Sequence, residues 1–482
     1  MKLSHFWIWL LGLSALGFGF RYWLAFSVFL NQGFAWDMAT FGDWIGNIRA
    51  GGTEAYDINP GFNYPPVFAD ILVGLDALAS FMGIGVISLL KLPSIIADVA
   101  IACTLAFAGR KWFSSKIGII AAALYLVSPV VWYDSAIWGQ VDSLSALPML
   151  LAVIFLIDRQ PEWASVFFMV AVLLKPQGAL VLLILLPVFI GQIKYRELRP
   201  RRIATTALAS IATFAVIATP WSLESYVPND IAKVPLLGDM VGLVYQYFMT
   251  AGMFPVLTAN AFNIWALAGK VPLASQIQDD RVIWITDNYQ ILGLPAGLIG
   301  GALFLAVAAF IFWMLIKRHN AQQVLTGFAL LLVAFFVLPT RVHERYLAQA
   351  FAVLALVWAV KVWQRSVFLV LSIANTVNLH AILAADLRVE TAVISSSASA
   401  SGVAGGFSQG VSQIVVATNP ADYGIDWVRM PTEWSRAEPL VLLVVLVHAL
   451  AFIVIFYDYY RVNELPIPKL LRFRDRQKSS QS

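Results

Sequence analysis

Long apolar segments recur along this sequence and leave few soluble folds open to it. They lie near 6–30, 86–109, 117–134, 143–158, 163–175, 177–192, 204–220, 291–316, 322–340, 346–361, 366–383 and 439–457. The chain is 60% hydrophobic and only 12% charged, which excludes an ordinary soluble domain. We predict an all-α polytopic membrane protein with about twelve transmembrane helices. Several segments are short for a hydrocarbon core of about 30 Å, which predicts broken helices that line a polar cavity.

Basic residues cluster on alternate connections between these segments. The clusters are Arg110/Lys111/Lys116, Lys194/Arg196/Arg199/Arg201/Arg202, Lys317/Arg318, Lys361/Arg365 and the tail after Arg461. Because cytoplasmic connections are rich in Lys and Arg, both termini are predicted to be cytoplasmic, in the plasma (inner) membrane. The net charge of +4 averages two opposite faces, so nucleic-acid binding is not implied. The absence of an Asn-x-Ser/Thr sequon points weakly to a bacterial envelope.

The positions of the apolar segments and of the basic clusters also predict how the chain is divided into parts. The predicted parts are a transmembrane module 1–220 that includes the first outer loop 31–85, an outer loop region 221–290, a second bundle 291–383, a flexible outer loop 384–438, and a last span with a basic cytoplasmic tail 439–482. Within the first outer loop, the stretch PPVFADILVGLDALASFMG is predicted to be an amphipathic helix that lies along the outer interface.

Charged residues inside a predominantly apolar chain indicate a functional site. The stretch RVHERY at 341–346 lies where two predicted spans meet on the outer face. Arg21, Lys91 and Lys175 are predicted at the outer ends of other spans. Ionisable groups at membrane depth are costly and usually serve a function. A cationic outer pocket suits a phosphate, particularly one attached to a lipid.

Seven motifs occur in a fixed order: WDMATFGDW, NYPPVF, KLPSIIAD, SPVVWYDSAIWGQVDSL, LLKPQGALVLL, ANAFNIWAL and TRVHERYL. In this order the chain resembles the GT-C superfamily of polyprenyl-phosphate-sugar-dependent glycosyltransferases, most closely the bacterial Gpi18-related mannosyltransferase-like proteins. The resemblance runs from about residue 30 to residue 355 and implies a GT-C-like fold.

The resemblance also implies a reaction. It implies inverting transfer of a hexose, with mannose favoured, from a polyprenyl-phosphate sugar to an acceptor hydroxyl on the extracytoplasmic face. The implied acceptor is a glycolipid, a polysaccharide or a protein. Asp37 matches the acidic general base of the first outer loop. His343 and Arg345 match the groups that hold the donor phosphate, with Arg341 as a neighbour.

Each of these assignments has an alternative. Asp43 lies six residues after Asp37 in the same predicted helix, so only one of the two faces the pocket, and both could be interfacial or capping residues. His343 and Glu344 could form an ion pair at a helix start. Lys175, followed by a proline, could bind the phosphate, pair with Asp142 or another carboxylate, or snorkel.

Further polar residues are candidates for sugar or acceptor binding. Gln140 and Asp142 could hold hydroxyls while Trp138 stacks on the sugar ring, or all three could only fold the loop between two spans. Tyr64 is a possible sugar contact. The two prolines that follow it indicate that residues 63–66 otherwise serve to fix an extended backbone before the next helix. One further pair, Asn260 and Asn263, could bind sugar or cap a helix.

No cofactor is predicted. A set of His, Asp and Glu at metal-ligand spacing is missing, although a divalent ion on outer carboxylates stays possible. A transporter or flippase for a lipid-linked anionic glycan would use a cationic pocket equally well, but it should present polar elements to both faces. A scaffold without catalysis would tolerate loss of Asp37. The sequence thus favours an enzyme, with a transporter as the alternative.

Overall fold

The structure is a computed structural model of the 482-residue chain. It describes residues 3–59, 61–223, 231, 234, 236–267, 281–397, 413–417 and 438–464. Almost all of the regular structure in these residues is helical. The predicted all-α class is confirmed.

The N-terminal half is a series of helices, several of them broken. In chain order they are α1 (Leu3–Trp23), α2 (Ala35–Gly51), α3 (Ala55–Ile58), α4 (Pro66–Met82), α5 (Leu92–Trp112), α6 (Ser115–Val127), α7 (Pro129–Trp132), α8 (Asp142–Ile157), α9 (Pro161–Val172), α10 (Leu182–Lys194) and α11 (Arg202–Ala218). Short π-helices follow α1 (Leu24–Val28) and α7 (Tyr133–Trp138), and 3-10 segments occupy Gly52–Glu54, Val86–Leu89 and Pro176–Val181.

The C-terminal half adds further helices and two small sheets. Its helices are α12 (Leu237–Gly252), α13 (Ala296–Lys317), α14 (Ala321–Val337), α15 (Phe351–Val357), α16 (Val362–Ser397) and α17 (Glu438–Val462), with 3-10 segments at Ile264–Leu267 and Ala348–Ala350. The strands are β1 (Arg281–Ile285), β2 (Gln290–Ile291), β3 (Leu294–Pro295) and β4 (Gln413–Ala417). β1 pairs with β4 in parallel, Arg281 opposite Gln413, and β2 pairs with β3 in antiparallel.

Among the described residues, six helical segments are long and apolar enough to cross a membrane. They are Leu3–Val28, Val86–Trp112, Pro176–Lys194, Ala296–Lys317, Val362–Ala384 and Pro439–Val462. A seventh candidate is bent by 50° where α6 meets α7. The shorter apolar helices are α8, α9, α11, α14 and the segment Ala348–Val357. Each candidate overlaps one predicted apolar segment, which confirms a polytopic membrane protein.

Two of the shorter apolar helices, α14 and α15, lie in the interior of the protein. Nearly every residue of α14 and α15 is buried against neighbouring helices. A helix that is apolar on all sides is expected in such an interior. At the contact between α5 and α6, a Cβ on Gly118 would lie 2.2 Å from the Ala106 carbonyl oxygen. Only glycine allows the two backbones to approach so closely.

The segment 31–85, predicted to be the first outer loop, is largely helical, and its helices α2 and α4 pack against each other. Phe41 and Trp44 of α2 contact Phe68 of α4 with ring centroids 5.1 and 6.0 Å away. The ion pair Arg49–Asp76 joins the far ends of the same two helices. α4 therefore packs against the helix that carries Asp37, and it presents its other face outward.

The predicted flexible loop 384–438 is partly regular in the structure. α16 continues to Ser397, and β4 lies at Gln413–Ala417. The residues between and after these elements, 398–412 and 418–437, lie outside the described residues, as does the predicted basic tail from 465 onward.

Candidate active site

Asp37 lies in the first turn of α2, and a residue from a distant segment holds its carboxylate. Trp138 Nε1 donates a hydrogen bond to Asp37 Oδ2 at 2.7 Å. The Trp138 ring stacks on Phe34, the residue before α2, with ring centroids 4.5 Å apart. Phe34 N also donates to the Trp138 carbonyl oxygen at 3.0 Å. These contacts fix Asp37 at a helix N-terminus, where a negative charge is favoured.

The alternative acid on the same helix points elsewhere. Asp43 is exposed, whereas Asp37 is 8% exposed. Six residues are not a whole number of helical turns, so the two carboxylates lie on different faces of α2. The structure therefore brings Asp37, and not Asp43, into contact with the other predicted site residues.

Arg345 faces Asp37 from the RVHERY segment. Its Nη2 lies 3.7 Å from Asp37 Oδ1, and its Nη1 donates to Glu344 Oε1 at 2.8 Å. Arg345 Nε and Glu344 Oε2 are buried, with no hydrogen-bond partner in the described part of the chain. Arg345 thus sits between two carboxylates and keeps one donor available for a ligand.

Lys175 and Asp142 form a buried ion pair. Lys175 Nζ lies 2.7 Å from Asp142 Oδ1, and both side chains are 1% exposed. Gln349 Nε2 donates to the same oxygen at 3.1 Å. Lys175 has an extended backbone just before Pro176, as a residue preceding proline prefers, so α9 ends before it. Of the three alternatives for Lys175, this structure contains the pairing with Asp142.

Aromatic rings border the lysine. Lys175 Nζ lies 5.5 Å from the centre of the Tyr64 ring and 5.8 Å from that of Tyr346. Tyr64 OH lies 3.5 Å from Gln140 Oε1. Gln140 Nε2 has no partner among the described residues. The electron-rich ring faces help to offset the cost of a buried cation.

The π-helix Tyr133–Trp138 supplies a residue that sequence reasoning did not select. Asp134 is 1% exposed, and neither of its carboxylate oxygens has a hydrogen-bond partner among the described residues. It interacts electrostatically with Asp142, Lys175 and Arg345. The signal was present in the sequence, because Asp134 is a charged residue inside an apolar run.

The carboxylates and cations above define the buried polar cluster: Asp37, Asp134, Asp142, Lys175, Glu344 and Arg345. They come from four separate parts of the chain. Burial in a low-dielectric interior strengthens every interaction among them and makes unpaired members costly. This cluster contains much of the predicted site, including its base and two of its predicted cations.

His343 adjoins the cluster as a neutral imidazole. Its ring packs edge-on against Phe254, 5.1 Å between centroids. Burial, together with the Arg345 and Lys175 cations, holds the pKa of His343 well below its ordinary value of 6.5. Its Nδ1 is 3.9 Å from Glu344 Oε2, too far for a hydrogen bond. His343 therefore offers a hydrogen bond rather than a positive charge at pH 7.

Several predicted site residues are held outside the cluster. Arg341 makes two hydrogen bonds to Asp287, Nε to Oδ2 at 2.7 Å and Nη2 to Oδ1 at 3.3 Å. Asn263 donates to the Phe336 carbonyl oxygen at 3.1 Å and is completely buried. Arg341 and Asn263 thus connect neighbouring segments in this structure.

Asn260 contacts His343 through its backbone, and Trp138 contacts Asp37 through its indole nitrogen. Asn260 forms backbone bridges with His343, and its side-chain oxygen has no partner among the described residues. The Trp138 ring is completely buried, and its stacking partner in this structure is Phe34 rather than a ligand. The observed contacts of Trp138 therefore position Asp37.

Two cations expected in the outer pocket have structural partners instead. Arg21 Nε donates to Asp98 Oδ2 at 2.7 Å, and both side chains are completely buried. Lys91 Nζ donates to the carbonyl oxygens of Phe29 and Ala136, each at 2.9 Å. The expectation that all the membrane-depth cations gather in one place is therefore wrong for Arg21 and Lys91, because nearby backbone and carboxylate acceptors engage them.

No group of three or more His, Cys, Asp or Glu side chains in the described part of the chain is arranged to hold a metal ion.

The sequence profile of glycosyltransferase family 87 matches residues 62–340, more than half of the chain. The chain belongs to glycosyltransferase family 87. This is a family of GT-C-type membrane glycosyltransferases, so the prediction of a membrane-embedded glycosyltransferase is confirmed. No curated protein is similar enough to the chain to count as a match.

The family 87 match covers only part of the buried polar cluster. It includes Asp134, Asp142 and Lys175, but it begins after Asp37 and ends before Arg345. The hydrogen bond from Trp138 joins Asp37 to the matched region, and the contact between Arg345 and Asp37 joins the two flanking parts to each other. Membership of family 87 establishes a sugar transferase that works with a donor, an acceptor and a lipid bilayer, and the cluster is its candidate active site.

Proposed function

We propose that this family 87 protein transfers a hexose from a polyprenyl-phosphate sugar to an acceptor hydroxyl, with inversion at the anomeric carbon and Asp37 as the general base. The observation that carries the proposal is the position of Asp37. Its carboxylate is anchored by Trp138 and lies 3.7 Å from a buried guanidinium, that of Arg345. A candidate base and a candidate phosphate-binding cation thus lie in the same buried site, which supports the proposal.

The chemical step needs both groups. The acceptor oxygen attacks the anomeric carbon from the face opposite the phosphate, and the new C–O bond forms as the bond to the phosphate oxygen breaks. The hydroxyl proton passes to the Asp37 carboxylate. The electron pair of the broken bond leaves on the polyprenyl phosphate, which departs as a monoester and gains negative charge.

Arg345 and Lys175 are the groups proposed to stabilise that charge. Both are buried, and Arg345 retains an unpartnered Nε. A donor that tightens on the leaving group in the transition state contributes about 3 kcal/mol in comparable sites. His343 would add a neutral hydrogen bond to the phosphate. Arg341, which forms an ion pair with Asp287, would contact the phosphate from the edge of the site.

The proposed sugar contacts are the polar groups with unused hydrogen-bonding capacity. Gln140 Nε2, Asp142 Oδ2 and Asn260 Oδ1 have no partner among the described residues. Tyr64 OH lies beside Gln140. Trp138 and Asn263, whose polar atoms are already engaged, would act by holding neighbouring groups. Mannose is the sugar to test first, because the resemblance to Gpi18-related proteins favours it.

We place the reaction on the extracytoplasmic side of the plasma membrane, with both termini cytoplasmic. The basic ends of helices support this arrangement. Arg110 and Lys111 end α5, Lys194 ends α10 and Lys317 ends α13. Lys91 and Lys175, by contrast, precede the opposite ends of the spans that contain α5 and α10. Basic residues mark the cytoplasmic end of a span.

The test supplies purified protein with radiolabelled polyprenyl-phosphate mannose, glucose or galactose and a cell lipid extract as the source of acceptor. We expect the wild type to transfer one of these sugars. We expect Asp37→Asn to abolish transfer while it still binds the donor, and the control Asp43→Asn to match the wild type. Normal transfer by Asp37→Asn would exclude Asp37 as the base.

A vesicle assay with the same labelled lipids tests the alternative function, that of a transporter. Protein is placed in vesicles with the labelled lipid in one leaflet, and the label in each leaflet is followed with time. Equilibration of the label between leaflets with no sugar consumed would replace the proposed donor chemistry with lipid transport.

A further inference from the structure

Asp134 is a member of the buried polar cluster, and its carboxylate makes no hydrogen bond to the described residues. Both of its carboxylate oxygens are buried and unpartnered among the described residues. The side chain is 1% exposed. Buried polar atoms in native proteins are nearly always hydrogen-bonded, to protein, water or ligand. An orphaned carboxylate at this position therefore indicates a missing partner that carries hydrogen-bond donors.

The backbone around Asp134 forms a turn that contains Gln140, a second residue with an unpartnered side-chain atom among the described residues. The Asp134 carbonyl oxygen accepts hydrogen bonds from Gly139 N and Gln140 N, each at 3.0 Å. Gly139 ends the π-helix with a φ of +91°, and a Cβ there would lie 2.9 Å from Met38 Sδ. This tight turn folds Gln140 back toward the segment of Asp134. π-helical turns of this kind are frequent at functional sites.

The unpartnered atoms of the cluster and of the neighbouring Gln140 include both hydrogen-bond acceptors and donors. The acceptors are Asp134 Oδ1 and Oδ2, Asp142 Oδ2 and Glu344 Oε2, and the donors are Gln140 Nε2 and Arg345 Nε. A metal ion does not fit, because the described residues contain no metal-binding group of three such side chains. An anion placed at Asp134 would meet the carboxylates of Asp134 and Asp142, and a cation there would also meet the positive charges of Lys175 and Arg345. A hydroxyl is both donor and acceptor, so a polyhydroxylated ring suits the mixture.

We propose that Asp134 is a specificity-determining residue that accepts a hydrogen bond from a hydroxyl of the transferred sugar. This inference rests on the proposed function and names a contact of that same site. Asp134 interacts electrostatically with both Lys175 and Arg345, the groups proposed to hold the donor phosphate. The sugar is bonded directly to that phosphate, so its ring lies within reach of the same cluster. Asp134 selects among sugars because a buried acceptor rejects a ring that lacks the matching hydroxyl.

The experiment compares wild type, Asp134→Ala and Asp134→Asn on farnesyl phosphate mannose and on its 2-, 3-, 4- and 6-deoxy analogues. We expect Asp134→Ala to lower kcat/KM on the parent donor by about tenfold or more. On one deoxy analogue the ratio of wild type to variant should fall to near one, because the hydroxyl that Asp134 binds is already missing. Asp134→Asn keeps one acceptor oxygen and should lose less.

The controls separate this contact from a structural role and from the donor assignment. Asp43→Ala, at an exposed carboxylate, should match the wild type on every analogue. If Asp134→Ala does not fold, Asp134→Asn makes the comparison, with the thermal midpoint in detergent as the check. An equal loss on the parent and on all four analogues would overturn the sugar contact. Wild type inactive on the whole donor panel, glucose and galactose included, would instead overturn the proposed donor.

Discussion

Trp138 Nε1 lies 2.7 Å from Asp37 Oδ2, a contact between residues 101 positions apart in the chain. It joins the π-helix after α7 to the first turn of α2. The contact gives the indole a positioning role in this structure, because its ring is buried against Phe34 and its only polar atom is engaged by the carboxylate. Asp37 therefore depends on Trp138 for its orientation.

Replacing the indole with a benzene ring tests that dependence. Trp138→Phe keeps the stacking on Phe34 but removes the hydrogen bond to a charged group, which contributes about 1.5–3 kcal/mol. We expect kcat to fall by about tenfold to a hundredfold, with little change in the KM for donor. Steady-state kinetics on the preferred donor measures both. A higher KM with an unchanged kcat would favour stacking on the sugar instead.

The ion pair between Lys175 and Asp142 is expected to be structural as well as functional. Lys175→Met leaves a buried carboxylate with only Gln349 as its donor, and loss of one partner of a buried pair costs about 3–5 kcal/mol. The thermal midpoint in detergent should fall. Adding Asp142→Asn removes the orphaned charge and should restore much of the midpoint. Activity should stay low in both variants, since the cation proposed for the phosphate is missing.

Arg345 and Arg341 should differ as phosphate ligands. The Arg345 side chain is 10% exposed and lies between Asp37 and Glu344, whereas the Arg341 side chain is 41% exposed and bonded to Asp287. Arg345→Lys loses a planar fork that one ammonium does not replace. We expect a fall in kcat/KM of about a hundredfold for Arg345→Lys, but of less than about threefold for Arg341→Lys. The reverse order in the same transfer assay would make Arg341 the principal ligand.

The lowered pKa of His343 predicts that the stability of the folded protein changes with pH. Burial and nearby cations lower the pKa of His343 in the folded protein below its ordinary value of 6.5. The unfolded chain therefore binds the proton first as the pH falls, and the free energy of unfolding decreases below about pH 6.5. His343→Gln should lessen that decrease between pH 7.5 and 5.5. The measurement is the thermal midpoint of both proteins across this range, and parallel curves would contradict a buried neutral imidazole.

Members of the candidate site were predictable where a charged residue was anomalous for its apolar surroundings. Asp37, Lys175 and Arg345 are charged residues in or beside apolar segments, and the structure brings all three into one cluster. The same reasoning included Arg21 and Lys91, which are held by Asp98 and by backbone carbonyls. Charge at membrane depth indicates that a partner exists, but the sequence does not say which partner.

The sequence by itself determined the class of protein and the approximate positions of its helices, because hydropathy and charge act locally along the chain. It could not decide the pairing of side chains from distant segments. Lys175 could have bound a phosphate alone, yet Asp142 lies 2.7 Å away. Asp134 lies in the motif SPVVWYDSAIWGQVDSL, and only the tertiary structure shows that both of its carboxylate oxygens lack a partner among the described residues. Hydrogen bonds need atoms within about 3 Å, and only the packing of helices sets distances on that scale.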